Sequence, residues 1–211
     1  MRLFSRRAAA LSGLVAALVA TTAATAALAA PDFRVAADDM SLGNPKARVT
    51  VIEYASASCP HCARFNNDVF PAFKAKYIDT GQVRYVMREI LTEPSAVAAA
   101  GFLTARCGGK DKYFPILDQI FRHQQEIYQT GDLNGILGKA AESQGLTKAQ
   151  FEACVFDGDA LAALNARVDL YSKRDEITGT PTFIVNGKRY DSGEMSLADL
   201  DAAITDARKA H

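Results

Sequence analysis

Val49-Thr50-Val51-Ile52-Glu53-Tyr54-Ala55-Ser56-Ala57-Ser58-Cys59-Pro60-His61-Cys62 is the stretch around which the 211-residue chain is organised. Residues 49–54 form an apolar run with one acid in it, the pattern of a central strand covered on both faces. A short loop follows, and then two cysteines two residues apart open a helical pattern that runs through Phe65 and Val69. Cysteines at this spacing on a strand-to-helix junction read as a redox pair. A helix start leaves backbone N–H groups without partners and carries the positive end of the macrodipole, so both favour a negative charge on Cys59. Pro60 suits the first turn, because the N–H it lacks would have had no partner there. His61, when protonated, would add positive charge near the sulfur. Cysteines in such settings have pKa values of about 3.5 to 7.5 against about 8.5 for a free thiol.

This run, together with Thr178-Gly179-Thr180-Pro181-Thr182-Phe183 far downstream, resembles the DsbA type of thioredoxin-fold thiol:disulfide oxidoreductase. The Pro-His dipeptide between the cysteines is that of the disulfide-introducing members. The resemblance spans most of the chain beyond its first 29 residues, and implies a thioredoxin-like α/β fold with no cofactor. It also implies a cis Thr180–Pro181 bond beside Cys59, with nearby backbone free to pair with an extended substrate chain. On the residues alone, Pro181 could equally be a trans proline starting a strand. The best-known oxidases carry valine where this chain has Thr180, whereas threonine occurs in isomerase-type relatives and in many other DsbA-like proteins.

Residues 1–29 hold Arg2, Arg6 and Arg7, an uncharged run rich in Leu, Val and Ala, and then Ala27-Leu28-Ala29. That order is a secretory signal peptide cleaved after Ala29; an uncleaved anchor is the alternative, since the run is long enough to span a bilayer. The Arg6-Arg7 pair leaves Sec and twin-arginine export both open. The whole chain balances 24 Lys+Arg against 24 Asp+Glu. Removing three arginines and no acid leaves a formal charge of −3, which is no nucleic-acid footprint. All four cysteines, 59, 62, 107 and 154, lie in the exported part, implying an oxidising, periplasmic location.

The remaining pattern divides the chain into a first thioredoxin-like part at 30–91, a helical insertion at 92–175 and a second thioredoxin-like part at 176–211. Residues 30–48 make a polar lead-in with room for a short edge strand. Pro71 should kink or break the helix after Cys62. Residues 83–90 read as a second strand, parallel to the first through a right-handed crossover. Helices are expected at 96–107, 113–128, 132–143 and 159–175, the last with Leu161, Leu164, Val168 and Tyr171 along one face. Thr147 with Gln150 makes a capping box between the last two. Then come a strand at 182–185, an Asn186-Gly187 hairpin, a returning strand at 188–190, and a final helix at 197–210 capped by Ser196 and Asp199.

Cys62, one turn into the helix, would resolve the mixed disulfide from inside. Glu53 stands six residues before Cys59, where the resemblance to thioredoxin-like proteins implies a buried acid beneath the active-site helix. Burial raises a carboxyl pKa, which suits proton transfer near neutrality; the alternative is an edge-strand glutamate facing water. Cys107 and Cys154 could bridge only within the insertion, contributing roughly 4 kcal/mol in the chain-entropy model, or stand as two buried thiols. A zinc site at Cys59 and Cys62 would need two further ligands, and there is no second C-x-x-C and no H-x-x-x-H.

The expectation is an exported oxidase in which Cys59 and Cys62 exchange disulfides, His61 and Pro60 tune them, Glu53 moves the proton, and Thr180 and Pro181 hold substrate. Reduced exported proteins are the implied substrates, and a quinone-linked membrane oxidase is the recycling partner that the family points to. A monomer is expected, with no nucleic acid and no metal. The rivals are a disulfide isomerase or reductase and a non-catalytic metal carrier.

Overall fold

The computed structural model describes residues 32–191 and 193–210. The proposed signal peptide and His211 lie outside the described residues. Five strands form one mixed sheet in the order β1-β3-β2-β4-β5. They are β1 (Met40–Gly43), β2 (Val49–Ala55), β3 (Val83–Glu89), β4 (Thr182–Val185) and β5 (Lys188–Tyr190). β2 pairs in parallel with β3, placing Glu53 opposite Met87, and antiparallel with β4, placing Glu53 opposite Phe183. β2 is therefore central, and the edge-strand alternative for Glu53 is excluded. The lead-in supplies β1, which closes one edge against β3. At the other edge Asn186 and Gly187 both take positive φ, the hairpin geometry their sequence favours.

Alternation along β2 separates two cores. Val49, Val51 and Ala55 face the main cluster, with Phe65 and Phe73 from the active-site helix and Leu200, Ala203 and Ile204 from the C-terminal helix. Ile52 and Tyr54 face a smaller cluster with Val86, Ile184 and Tyr171. On this second face Arg88 is fully buried, paired with Asp39 at 3.1 Å and Asp175 at 3.1 Å. Tyr54 donates to the same Asp175 at 2.6 Å.

After α1 (Pro60–Arg64) the helical path does not break at Pro71. A π-helical turn at Phe65–Val69 lets the Phe70 N–H reach the Phe65 carbonyl, and Pro71 falls in the first turn of α2 (Phe70–Phe73). The missing N–H is accommodated where the ladder has already shifted. A second π-helical turn, Lys74–Ile78, leads to β3.

The insertion comprises α3 (Ser95–Cys107), α4 (Gly109–Arg122), α5 (Gln124–Thr130), α6 (Leu133–Glu142), α7 (Lys148–Val155) and α8 (Gly158–Arg174). The expected single helix at 113–128 starts earlier, at Gly109, and breaks at His123, whose backbone leaves helical geometry. Along α8, Leu164 and Tyr171 are buried, but Leu161 is 39% exposed and does not join their face. Both capping boxes form, Thr147 with Gln150 on α7 and Ser196 with Asp199 on α9 (Leu197–Lys209). Cys107 and Cys154 are joined by a disulfide between the ends of α3 and α7. The whole is a thioredoxin-like fold interrupted by a helical insertion.

Candidate active site

Cys59 is the N-cap of α1, with extended backbone and Pro60 following it into the first turn. The loop before it is held from three sides. Ser58 Oγ donates to the Thr92 carbonyl at 2.8 Å, Tyr128 donates to the Ser58 carbonyl at 2.6 Å, and buried Gln124 donates to the carbonyls of Ala57 and Cys59. Neither Gln124 nor Tyr128 was marked by any local pattern in the sequence.

The Cys59 thiol has its pKa lowered to about 5. The largest cause is the Cys62 thiol, which donates to the Cys59 sulfur. Burial opposes it, and the N–H groups of Cys62 and His61 add to it. These N–H groups act as oriented dipoles at the helix start, short of full hydrogen-bond geometry. Cys62 is fully buried and shifts the other way, well above the usual thiol value, chiefly through burial and then through its hydrogen bond to Cys59. Two thiols in contact are thus split into a ready anion and a reluctant one.

Thr180 reaches Cys59 from the far side of the site. The Cys59 thiol lies 3.3 Å from the Thr180 carbonyl oxygen, and the Thr180–Pro181 peptide is cis. Thr180 Oγ1 is buried, with no hydrogen-bond partner among the described residues. Sheet pairing of β4 begins at Thr182, opposite Tyr54, so the backbone of Gly179 and Thr180 stays outside the ladder.

His61 is exposed, and its ring is turned toward Glu194, with Nδ1 2.5 Å from Oε1. Arg64 pairs with the same carboxylate. What His61 lends Cys59 is its backbone N–H, and Glu194 was not anticipated from the sequence. Glu53 is 1% exposed, and its pKa is pushed up to about 8 by burial, against the lowering effect of a hydrogen bond from Tyr85. A Cys59 anion raises it further. Cys107 and Cys154 are in the insertion and belong to no part of this site. Among the described residues no group of three or more His, Cys, Asp or Glu side chains could hold a metal ion.

A thiolate-forming cysteine at a helix N-terminus, a buried partner beneath it and a cis-proline loop across from it, on a thioredoxin-like sheet with a helical insertion, define the class of DsbA-like disulfide oxidoreductases. The chain belongs to the thioredoxin family, whose model matches residues 36–206. It is 34% identical over 176 residues to a Rickettsia conorii protein named for protein-disulfide oxidoreductase activity, covering 83% of this chain and 62% of that one. Disulfide bond formation protein D of Bacillus subtilis is 28% identical over 149 residues, 70% of this chain and 67% of that protein. Among solved structures, Wolbachia pipientis alpha-DsbA1 superposes with a TM-score of 0.74 at 28% identity, covering 84% of this chain and 95% of that one. Oxidised BdbD from Bacillus subtilis gives 0.69 at 26% identity, over 81% of this chain and 93% of that one.

Proposed function

We propose that the protein is an exported dithiol oxidase that introduces disulfides into reduced secreted proteins. The observation that carries this reading is the split between the two cysteines, with Cys59 lowered to about 5 and Cys62 raised. Starting from a Cys59–Cys62 disulfide, a substrate thiolate attacks the Cys59 sulfur, and Cys62 leaves with the electron pair of the broken bond. Cys62 takes up a proton from Glu53. A second substrate thiolate attacks the substrate sulfur of the mixed disulfide and releases Cys59 as its stabilised anion. The substrate leaves oxidised by two electrons, and the enzyme remains as the dithiol.

The stability of the Cys59 anion favours the reduced enzyme, which makes disulfide donation downhill. Thr180 and Pro181 border the sulfur, and the unpaired backbone beside them suits strand-like pairing with an extended substrate, which grips without reading side-chain identity. Turnover requires an electron acceptor, for which we infer a quinone-linked membrane oxidase, in the periplasm, with the enzyme acting as a monomer.

A disulfide isomerase or reductase is the second reading, favoured by threonine at position 180. Titrating the Cys59 thiolate by its ultraviolet absorbance, and equilibrating the protein with glutathione, separates the two. The oxidase reading expects a pKa well below neutral and a dithiol that glutathione disulfide oxidises poorly. A pKa near that of a free thiol, with a strongly reducing equilibrium, would give the assignment to the reductase.

A further inference from the structure

Tyr85 lies on β3 opposite Val51, two residues before the partner of Glu53, so its side chain shares the face of the sheet on which Glu53 lies. Its hydroxyl donates to Glu53 Oε2 at 2.5 Å, and both residues are at most 1% exposed. The ring has little freedom to do otherwise. Phe70 packs against it at 4.9 Å between centroids and Phe73 at 6.1 Å, both from α2, and Phe114 at 5.8 Å from α4. Among the described residues, Tyr85 is the side chain that donates to the Glu53 carboxyl, and it does so at Oε2.

We propose that Tyr85 is the positioning residue of the proton relay, holding Oε2 of Glu53 so that Oε1 serves the Cys62 thiol. The inference rests on the role given above to Glu53. During recycling the step balances as follows. Cys62 gives its proton to Glu53 Oε1, directly or through water, and the resulting thiolate attacks the Cys59 sulfur of a mixed disulfide. The Cys59–Cys62 bond forms, and the partner sulfur departs as a thiolate with the electron pair of the bond that breaks.

The titratable groups acting on the Glu53 carboxyl are Tyr85 from β3 and Cys59 at the start of α1, and the carboxyl in turn acts on Cys62. Tyr113 from α4 acts on Tyr85, and the β4 neighbour, Phe183, is uncharged. A hydroxyl donated to the carboxylate favours its charged form, so removing it raises the pH at which Glu53 becomes a base.

The test is the pH profile of resolution. Reduced protein is mixed with glutathione disulfide, quenched in acid, and the loss of the Cys59–glutathione adduct is followed by mass spectrometry. The unmodified protein should show a break near the Glu53 value of about 8. Glu53→Gln should abolish the break, and Tyr85→Phe should move it upward by about one pH unit. A break that survives Glu53→Gln overturns the role of Glu53 and this inference with it. A break that Glu53→Gln removes but Tyr85→Phe leaves in place overturns the inference alone. A purely structural role for the ring predicts that second result, since phenylalanine keeps the packing. If Tyr85→Phe does not fold, protein labelled throughout with 3-fluorotyrosine provides a more acidic hydroxyl, and the break should move downward. An unmoved break there also overturns the proposal.

Discussion

Gln124 Nε2 lies 2.8 Å from the Ala57 carbonyl oxygen and 3.2 Å from that of Cys59, so a side chain of the helical insertion holds both ends of the turn that delivers the reactive sulfur. The amide is 3% exposed, and the Ser58 carbonyl between them is taken by Tyr128. The insertion thereby acts on the site through backbone oxygens and leaves the sulfurs untouched.

Replacing Gln124 with alanine strands the Ala57 carbonyl away from water, while the Cys59 carbonyl keeps the Ala63 N–H. A loss of about 1–3 kcal/mol is expected, measured by denaturant unfolding of the oxidised protein. Tyr128→Phe, at a more exposed position, should cost less. Equal stability of Gln124→Ala and the parent would show that the two hydrogen bonds contribute nothing net.

The pH dependence of stability should differ between the redox forms. Cys59 titrates at about 5 when folded against an ordinary value of 9.0, a depressed pKa. Its contribution is therefore fully present above the unfolded value and lost as pH falls through about 5. The disulfide form has no such thiol, and Glu53 is common to both forms. Near neutral pH the dithiol should gain about 2–3 kcal/mol from this source over its own value at pH ~4. Unfolding curves of the two forms across that range check it, and parallel pH profiles would refute it.

Joint replacement of Cys107 and Cys154 by alanine opens a link between residues 47 apart. The chain-entropy model gives a loss of roughly 4 kcal/mol. Because neither sulfur touches the site, the Cys59 thiolate titration should not move. The melting temperature and the absorbance titration measure the two halves of this expectation separately.

Arg88→Met should be among the most damaging single changes. It leaves Asp39 without its buried guanidinium partner, while Asp175 keeps only that of Arg174. Breaking a buried pair in this way costs about 3–5 kcal/mol. Thermal unfolding of the two proteins measures this loss.

Much of the fold was legible because its signals are local. The apolar run of β2, the Cys59–Cys62 spacing, the Asn186-Gly187 turn and both capping boxes each fit within a few residues. The Thr180–Pro181 loop came as an expectation from resemblance, and the fold places the Thr180 carbonyl oxygen 3.3 Å from the Cys59 sulfur. Tyr85, Gln124 and Arg88 were not legible. Each acts on a residue 32 or more positions away, and in sequence they are merely a strand tyrosine, a helix glutamine and a strand arginine. Pro71 misled for a related reason. A proline forbids one hydrogen bond, and nothing in its neighbours says whether the helix ends there or widens by one residue to pass it.

The alternation of β2 has one more consequence. Glu53 belongs to the side of the sheet where sulfur chemistry takes place, while Tyr54, its immediate neighbour, is clamped to the ionic knot on the reverse side. Adding or deleting a single residue between this strand and Cys59, with the helix kept in place, would trade their places, putting a phenol under the sulfurs and a carboxyl among the aspartates. Reactivity and anchorage would fail in one stroke, so the spacing from Glu53 to Cys59 is as binding on this protein as the identity of either residue.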